Sequence, residues 1–451
     1  MTQINQPGAG PETSGPIVVP PESVEAEALA ALKAATEDDR PPVPRSYVVL
    51  LILALFGTNL AFTTPLVLSL AIQIQALAPQ NEEYLGFVLG AAAGLGLIVG
   101  PMFGVLSDRT RSRLGRRRPW MVAGLAVGLI GLFILASAPN VIVLAIGWIV
   151  STLGWGQIFG GLQNSQADRL PASQRGKVAG LTGMAGMMAP VIGSVAGSAL
   201  SSSPYLLFLV PGLIGAVLVV LFLLFVQEPD SRDLILEEKL SARGLFSKYL
   251  YNPRSYPDFS WNFVGRFVFY FGLTLSSAFT AFFLASRLNL PITEIGGTIA
   301  LVGLLGIVAT TAGAIGGGFL SDRFKQRKVF VLAGGVIFSV GAVTTAFAPS
   351  IEFIVIGSFL SSVGIGVFSA VDQALVLDVL PERDTQAARF NALNSFSLTV
   401  PQSLAPIAAP AFLVIGMVSG GDKNYSILYL IAAVLTIIGG LIVVTKVKSV
   451  R

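Results

Sequence analysis

Twelve times along this chain the sequence runs through about 20 or more mostly apolar residues, the length at which an α-helix crosses the hydrocarbon core of a bilayer. The runs lie at roughly 46–75, 85–107, 119–138, 141–167, 176–200, 205–226, 259–286, 293–320, 329–348, 351–377, 390–418 and 424–445. They are continuous and rich in Leu, Val, Ile and Ala, unlike the short alternating segments of a transmembrane barrel. In lipid every backbone N–H and C=O must find its partner within the spanning element, so continuous runs mean helices. Composition points the same way. Of 451 residues, 53% are hydrophobic and 12% charged, where a soluble domain carries about 25% charged residues; mean hydropathy is +0.75. A soluble globular fold, a nucleic-acid binder with a basic face and a disordered regulator are excluded. There is no cysteine and no histidine, which removes disulfides, Cys/His metal sites, Cys or His nucleophiles and histidine proton relays. No metal and no cofactor are expected.

The expected fold is an all-α polytopic membrane protein of twelve transmembrane helices. Lys and Arg resist translocation and so orient the spans. With a cytoplasmic N-terminus, 26 of the 29 Lys and Arg residues fall in cytoplasmic segments; only Arg287 and Lys423 fall outside, and Arg266 lies within a span. Both termini are therefore expected in the cytoplasm. Residues 1–45 differ from the rest: they hold eight of the 26 prolines and seven acidic residues, with no run long enough for a signal peptide. They are read as a disordered cytoplasmic tail with a short helix at Glu22–Lys33. The remaining divisions are a first bundle at 46–226, a cytoplasmic linker at 227–258, a second bundle at 259–445 and a tail at 446–451.

The chain repeats itself. The stretch Gly104-Val-Leu-Ser-Asp108-Arg109 returns as Gly318-Phe-Leu-Ser-Asp322-Arg323, and Asp168-Arg-Leu-Pro171 returns as Asp378-Val-Leu-Pro381. Ala-Pro139 matches Ala-Pro349, and Ala189-Pro190 matches Ala405-Pro406. Two six-span halves in parallel orientation are an arrangement found in transporters built from repeats. Gly104 to Arg109, followed by Gly115-Arg116-Arg117-Arg118, resembles the loop 2–3 signature of the major facilitator superfamily. The longer form from Ser107 to Pro119, with Asn59-Leu-Ala-Phe-Thr-Thr-Pro65 in span 1, is similar to the sucrose-type and glycoside–pentoside–hexuronide sugar–cation symporters. The resemblance covers about residues 46–445. It implies two bundles rocking around a cavity lined mainly by spans 1, 4, 7 and 10, with spans 2, 5, 8 and 11 between the halves.

A carboxylate at a span end can face a helix N-terminus or an arginine. The resemblance assigns Asp108, Arg109, Arg116, Asp322 and Arg323 to a latch that closes the cytoplasmic side, with Asp168–Arg175 and Asp378–Arg389 as companion latches. Arg111, Arg113 and Lys325 are read as topogenic charges only. Spans 2, 5 and 8 hold 20 of the 49 glycines, which lets helix backbones approach closely.

Charges inside spans cost about 2.5–3.5 kcal/mol each on insertion scales and are usually functional. Arg266 and Asp372 lie about 10 Å and 9 Å from the cytoplasmic ends of spans 7 and 10 at 1.5 Å rise per residue. Each sits on a polar stripe: Asn262, Arg266, Tyr270 and Thr274 in span 7; Ser358, Ser362, Ser369, Asp372 and Gln373 in span 10. Two readings stand. Asp372 is a coupling carboxylate that takes a proton or ligates Na⁺ while Arg266 tunes it, or the two form a structural ion pair. The first half is uncharged here. Asn59 and Thr63 in span 1, and Gln157, Gln163 and Asn164 near Trp155 in span 4, suit a neutral polyhydroxylated cargo, whose hydroxyls bond amides and whose C–H face stacks on an indole; interhelical hydrogen bonding uses the same residues.

The functional expectation is a secondary active transporter, not an enzyme, that moves a sugar or glycoside by alternating access with H⁺ or Na⁺ symport. It would act as a monomer in the plasma (cell inner) membrane, with no nucleic-acid partner. The alternative is a proton-coupled exporter of drugs or metabolites. The span-5 stretch Ala185–Ser194 carries alanine or serine at three of the glycine positions usual in such exporters, which weakens that alternative.

Overall fold

The computed structural model describes residues 40–233, 251–415 and 423–449. The expected helix at Glu22–Lys33, most of the linker and the last two residues lie outside the described residues. Eleven helices are long and apolar enough to span a bilayer, and a bent pair makes a twelfth. They are α1 (Arg45–Leu77), α2 (Tyr84–Asp108), α3 (Arg118–Ala136), α4 (Val141–Arg169), α5 (Ala172–Ala199) and α6 (Pro204–Phe225). The second set is α7 (Pro257–Ser277 and Thr280–Leu288), α8 (Gly296–Phe324), α9 (Arg327–Ala346), α10 (Ile351–Val379), α11 (Arg383–Leu413) and α12 (Ser426–Lys446).

Two spans are broken where the sequence shows why. In α1, Pro65 has no N–H to give the ladder, and Pro65–Ser69 widens into a π-helical turn. In α7 the two pieces meet at 46°. Ser276, Ser277 and Thr280 turn their hydroxyls onto the carbonyls of Leu273, Thr274 and Ser276, the back-bonding that bends helices. Span 7, expected unbroken, is therefore two rods. Span 11, expected to reach residue 418, leaves its helix after Leu413, shortly beyond Pro401, Pro406 and Pro410.

The internal repeat is visible as repeated packing. Between α3 and α4, Gly124 lies against Gly154 and Gly131 against Gly147; between α9 and α10, Gly334 lies against Gly364 and Gly341 against Gly357. The α1–α6 crossing at Gly57 and Gly215 returns as the α7–α12 crossing at Gly265 and Gly439. A side chain at any of these positions would strike backbone, so glycine sets the helix separation. The described residues thus form twelve spans, the bent pair counted as one, in two parallel six-helix repeats.

The halves meet along α2 with α11 and α5 with α8, but not along their whole length. Near Glu83, a Cβ on Gly86 would lie 2.1 Å from the Pro406 carbonyl oxygen, and one on Gly296 would lie 2.2 Å from that of Ser194. Toward Asp108, Gly94, Gly96, Gly100 and Gly104 of α2 have nothing within 4 Å of that position, as do Gly176, Gly180 and Gly183 of α5 and Gly316 of α8. The molecule is closed at the Glu83 end and open at the Asp108 end.

Candidate functional site

The charges inside the spans come together as one cluster in the second half. Arg266 on α7 donates from Nη1 to Asp372 Oδ2 on α10 at 2.5 Å and from Nε to Ser397 Oγ on α11 at 3.0 Å. Its guanidinium stands 5.7 Å from the Tyr270 ring centroid. Arg266 is 6% exposed and Asp372 2%, so the pair is sealed from lipid and from the cavity. A buried ion pair need not stabilise a fold more than packed apolar residues do, yet losing one partner strands the other charge. The arrangement ties three helices together while both partners are ionised.

The first half supplies a polar wall with a single charged residue. Gln157 and Asn164 of α4 line a cavity of about 390 Å³ with Phe62, Phe103, Trp120, the glycines Gly96, Gly100 and Gly104 of α2, and Arg117. Gln163 and Gln373 are exposed on α4 and α10. Asn59 spends its amide N–H on the Leu55 carbonyl at 2.8 Å. Trp155, expected beside the cargo, is fully buried with its ring against Gly128 of α3, because α3 and α4 cross too closely there for the indole to face the cavity. The aromatic rings on the cavity wall are instead Phe62, Phe103 and Trp120, the last donating to Thr110 Oγ1 at 2.7 Å.

At the Asp108 end the ion pairs differ from those expected. Arg117, at the start of α3, pairs with Asp108 at 3.3 Å and with Asp168 at 2.9 Å, and Arg116 joins Asp168 at 3.0 Å. Its repeat partner Arg327, at the start of α9, pairs with Asp322 at 3.7 Å and with Asp378. Asp168 thus meets the loop arginines and not Arg175, whose Nε donates to the Leu170 carbonyl at 3.2 Å. Asp378 meets Arg327 and not Arg389, whose Nη1 donates to Gln386 Oε1 at 2.5 Å. Arg109 and Arg323 end their helices beside these clamps. Each clamp lies within one half, as it must where the halves stand apart. Sequence reasoning passed over Arg117 and Arg327 although they are 210 residues apart, the same offset as Asp168 and Asp378.

The first residues after α6 bind the same loop. Glu228 Oε2 accepts from the backbone N–H groups of Arg117 and Arg118 at 3.0 and 3.3 Å, putting an acid at a helix N-terminus. A Cβ on Gly115, at φ +87°, would fall 2.3 Å from the Glu228 side chain. Ser231 Oγ accepts from Ser112 N at 3.0 Å and donates to the Thr110 carbonyl at 2.9 Å.

At the other end the contacts do cross between halves. Lys423 bonds Glu83 Oε2 and the Gln80 carbonyl, and Tyr425 donates to Glu82. Burial raises the Glu83 carboxyl, but its bonds to Lys423 and Asn81 outweigh this and hold it below the ordinary carboxylate value. Burial, then Glu82, pushes the Tyr425 hydroxyl upward. Arg287, the other basic residue at this end, instead caps the Ala348 carbonyl at 2.6 Å within its own half.

The model of the Major Facilitator Superfamily matches residues 47–317 and 263–450. Curated relatives match over shorter stretches. A general alpha-glucoside permease of Schizosaccharomyces pombe is 31% identical over 101 residues, covering 21% of this chain and 17% of the relative. A probable 4-methylmuconolactone transporter of Cupriavidus pinatubonensis is 40% identical over 106 residues, covering 23% of this chain and 24% of the relative. A probable polyol transporter 4 of Arabidopsis thaliana is 33% identical over 93 residues, covering 21% and 17%. Each match spans less than a quarter of the relative's length. Among solved structures, the nucleoside transporter NupG is similar with a TM-score of 0.72 at 12% identity, over 89% of this chain and 99% of that one. A bacterial homologue of the human lysosomal transporter Spinster is similar with a TM-score of 0.65 at 16% identity, over 90% and 96%. Fold, internal repeat and family match converge: the chain belongs to the Major Facilitator Superfamily.

Proposed function

We propose that the protein is a secondary active transporter that takes up a small, neutral, polyhydroxylated solute by alternating access, coupled to a H⁺ or Na⁺ gradient through Asp372. The observation that carries this reading is the sealed Arg266–Asp372 pair, which joins α7 to α10 at 2.5 Å. A uniport carrier has no need of a charge switch that costs this much to bury. The cargo class rests on the amides Gln157 and Asn164 in a cavity whose one charged lining residue, Arg117, is already paired with Asp108 and Asp168. The names of three relatives, a glucoside permease, a polyol transporter and a nucleoside transporter, support it further. The bias of Lys and Arg toward the Asp108 end supports a cytoplasmic placement of that end and of both termini. The protein then sits in the plasma membrane as a monomer, open to the cytoplasm. Gln163, Tyr270 and Gln373 complete the cargo and coupling set on this reading, with Asn59 behind them. Asp108, Asp168, Asp322 and Asp378 with their arginines form the cytoplasmic gate, and Glu82, Glu83, Lys423 and Tyr425 the outer one.

The test is uptake into proteoliposomes of sugars, glycosides, polyols and nucleosides, with and without imposed H⁺ or Na⁺ gradients. Wild type is expected to accumulate one of these classes against its gradient. Asp372→Asn is expected to keep solute exchange and lose accumulation. Full accumulation by that variant would remove the coupling role from Asp372.

A further inference from the structure

One turn from the Arg266–Asp372 pair toward the Asp108 end lies a second polar layer to which the coupling reading gives no task. Asn262 on α7 is fully buried, and both its side-chain Oδ1 and Nδ2 lack a hydrogen-bond partner among the described residues. The same holds for Asn394 Oδ1 on α11 and for the second oxygen of Asp372, Oδ1. Phe259 packs on Phe390 at 5.3 Å and Arg266 bonds Ser397; both pairs are 131 residues apart, so α7 and α11 run side by side in constant register. That register sets Asn262 level with Leu393, one residue before Asn394. Asn262 is four residues before Arg266 and Asn394 three before Ser397, so both amides lie on the faces that carry those partners, about 4.5–6 Å along the helix. Beyond them Phe259, Leu380, Phe390 and Leu393 close the layer, with Tyr251 and Tyr256 stacked edge-on around Phe390.

A buried polar atom without a partner costs about 1–3 kcal/mol, and four such atoms on neighbouring levels of α7, α10 and α11 call for a ligand. The donor set says which. Asn262 presents one oxygen and one NH₂ group whichever way its amide is turned, and the other atoms are oxygens. A cation could use the oxygens but would face an N–H donor and stand close to the Arg266 guanidinium. Water can accept from the N–H and donate to the oxygens, and it needs two to four such partners to be retained.

We propose that Asn262, Asn394 and Asp372 Oδ1 hold internal water, and that this water carries the proton to and from Asp372. The relay rests on the reading of Asp372 as the coupling carboxylate; the hydration does not. A water O–H gives its proton to Asp372 Oδ1, the neutral carboxyl lets go of Arg266, and the water recovers a proton from its neighbour. The Phe259–Phe390 plug closes the chamber in the conformation seen here.

The experiment uses the full chain in liposomes and needs no cargo. Infrared spectra at acid pH show the protonated carboxyl band that disappears in Asp372→Asn, and a switch to D₂O shifts it. Wild type is expected to exchange within the mixing time. Asn262→Leu and Asn394→Leu are expected to slow the exchange by at least about tenfold, while Asn262→Ser, which keeps a hydroxyl, stays close to wild type. Unchanged exchange in both Leu variants, or no such band at any pH, would overturn the relay. A second measurement needs no variant. Microsecond radiolytic labelling is expected to mark Phe259 and Leu393 beside the chamber, but not the equally buried Phe208 and Phe222; absence of labelling at the first two overturns the hydration. A rise in melting temperature with NaCl and not with choline chloride, lost in Asn262→Leu, would make the layer a sodium site and overturn it too. If Asp372→Asn still accumulates solute, the coupling reading falls on its own, and the labelling result still decides the water.

Discussion

The two halves share a packing scheme down to individual glycines, yet they part where the second half carries its charges. The Gly57/Gly265 crossing aligns Arg266 with Thr58 and Asn262 with Ala54; the offset of 210 aligns Asp372 with Leu162. The shared Ala-Pro step aligns Ser397 and Asn394 with Leu181 and Val178. Thr58 bonds only the Ala54 carbonyl of its own helix at 2.7 Å, and Leu162 is fully buried. One scaffold therefore holds no charge at these positions in one copy and an ion pair in the other. The glycine contacts suffice for the fold, and the charge belongs to something else.

The strongest way to break that contrast is to remove one charge. Arg266→Leu or Asp372→Leu alone should cost about 3–5 kcal/mol by stranding the partner, read as a collapse in melting temperature or in yield of folded protein. Replacing both, Arg266→Thr with Asp372→Leu, copies the first half into the second. It should recover most of the loss while gradient-driven uptake stays absent. A double variant as unstable as the singles would show that the pair is structural.

A smaller effect separates the two clamps. Arg117 is nearly buried and touches two carboxylates closely, whereas Arg327 is more exposed and reaches Asp322 only at 3.7 Å. Arg117→Ala should cost about 1–2 kcal/mol and Arg327→Ala under about 1 kcal/mol, by thermal melting of each variant. Equal losses would mean that the repeat symmetry extends to energetics.

The outer contacts compare the closed end with the open one. With Ser286→Cys as the only thiol in a chain that has none, the lining of the cavity beside Lys423 becomes a reporter. Lys423→Ala should raise its labelling rate roughly twofold to threefold, in line with about 0.5 kcal/mol for a partly exposed pair. The sign with pH follows from Glu83. Its lowered value means that the Lys423 bond favours closure fully above the ordinary carboxylate value of 4.5 and loses that hold as pH falls through the lowered value. Labelling should thus be flat near neutrality and rise only in acid. A rise between pH 6 and 8 would contradict it. An effect of similar size, confined to stability, belongs to Asp258, which accepts from the backbone N–H groups of Lys448 and Ser449 at 3.0 and 2.7 Å. Asp258→Asn should cost about 0.5–1 kcal/mol, read by the same thermal melting, and leave transport unchanged.

Much of this was legible from the chain alone, because lipid allows few solutions. Span number, repeat and family follow from apolar length and a duplicated loop, and Arg266 met Asp372 because two stripes of equal depth imply it. What stayed hidden depended on direction around a helix. Trp155 reads as a cargo aromatic until α3 is seen to take its ring. Arg117 reads as one topogenic charge among six until its position at a helix start aims it at two carboxylates. The α7 break had no proline to announce it; three hydroxyls within five residues were the signal. Asn262 reads as a member of a stripe, but its lack of a hydrogen-bond partner among the described residues is a property of packed helices together.

The clamps carry a mechanical consequence. Arg117 joins the ends of α2 and α4 from the start of α3, and Arg327 does the same for α8, α10 and α9. Three rods pinned at one joint form a truss. At the Asp108 end the open face has no neighbour to lean on, so without such a joint the helix tips would splay separately and motion at one end would dissipate before reaching the other. On the alternating-access reading, the truss lets each half turn as a stiff lever, so that a rotation begun at the Glu83 end reaches the Asp108 end.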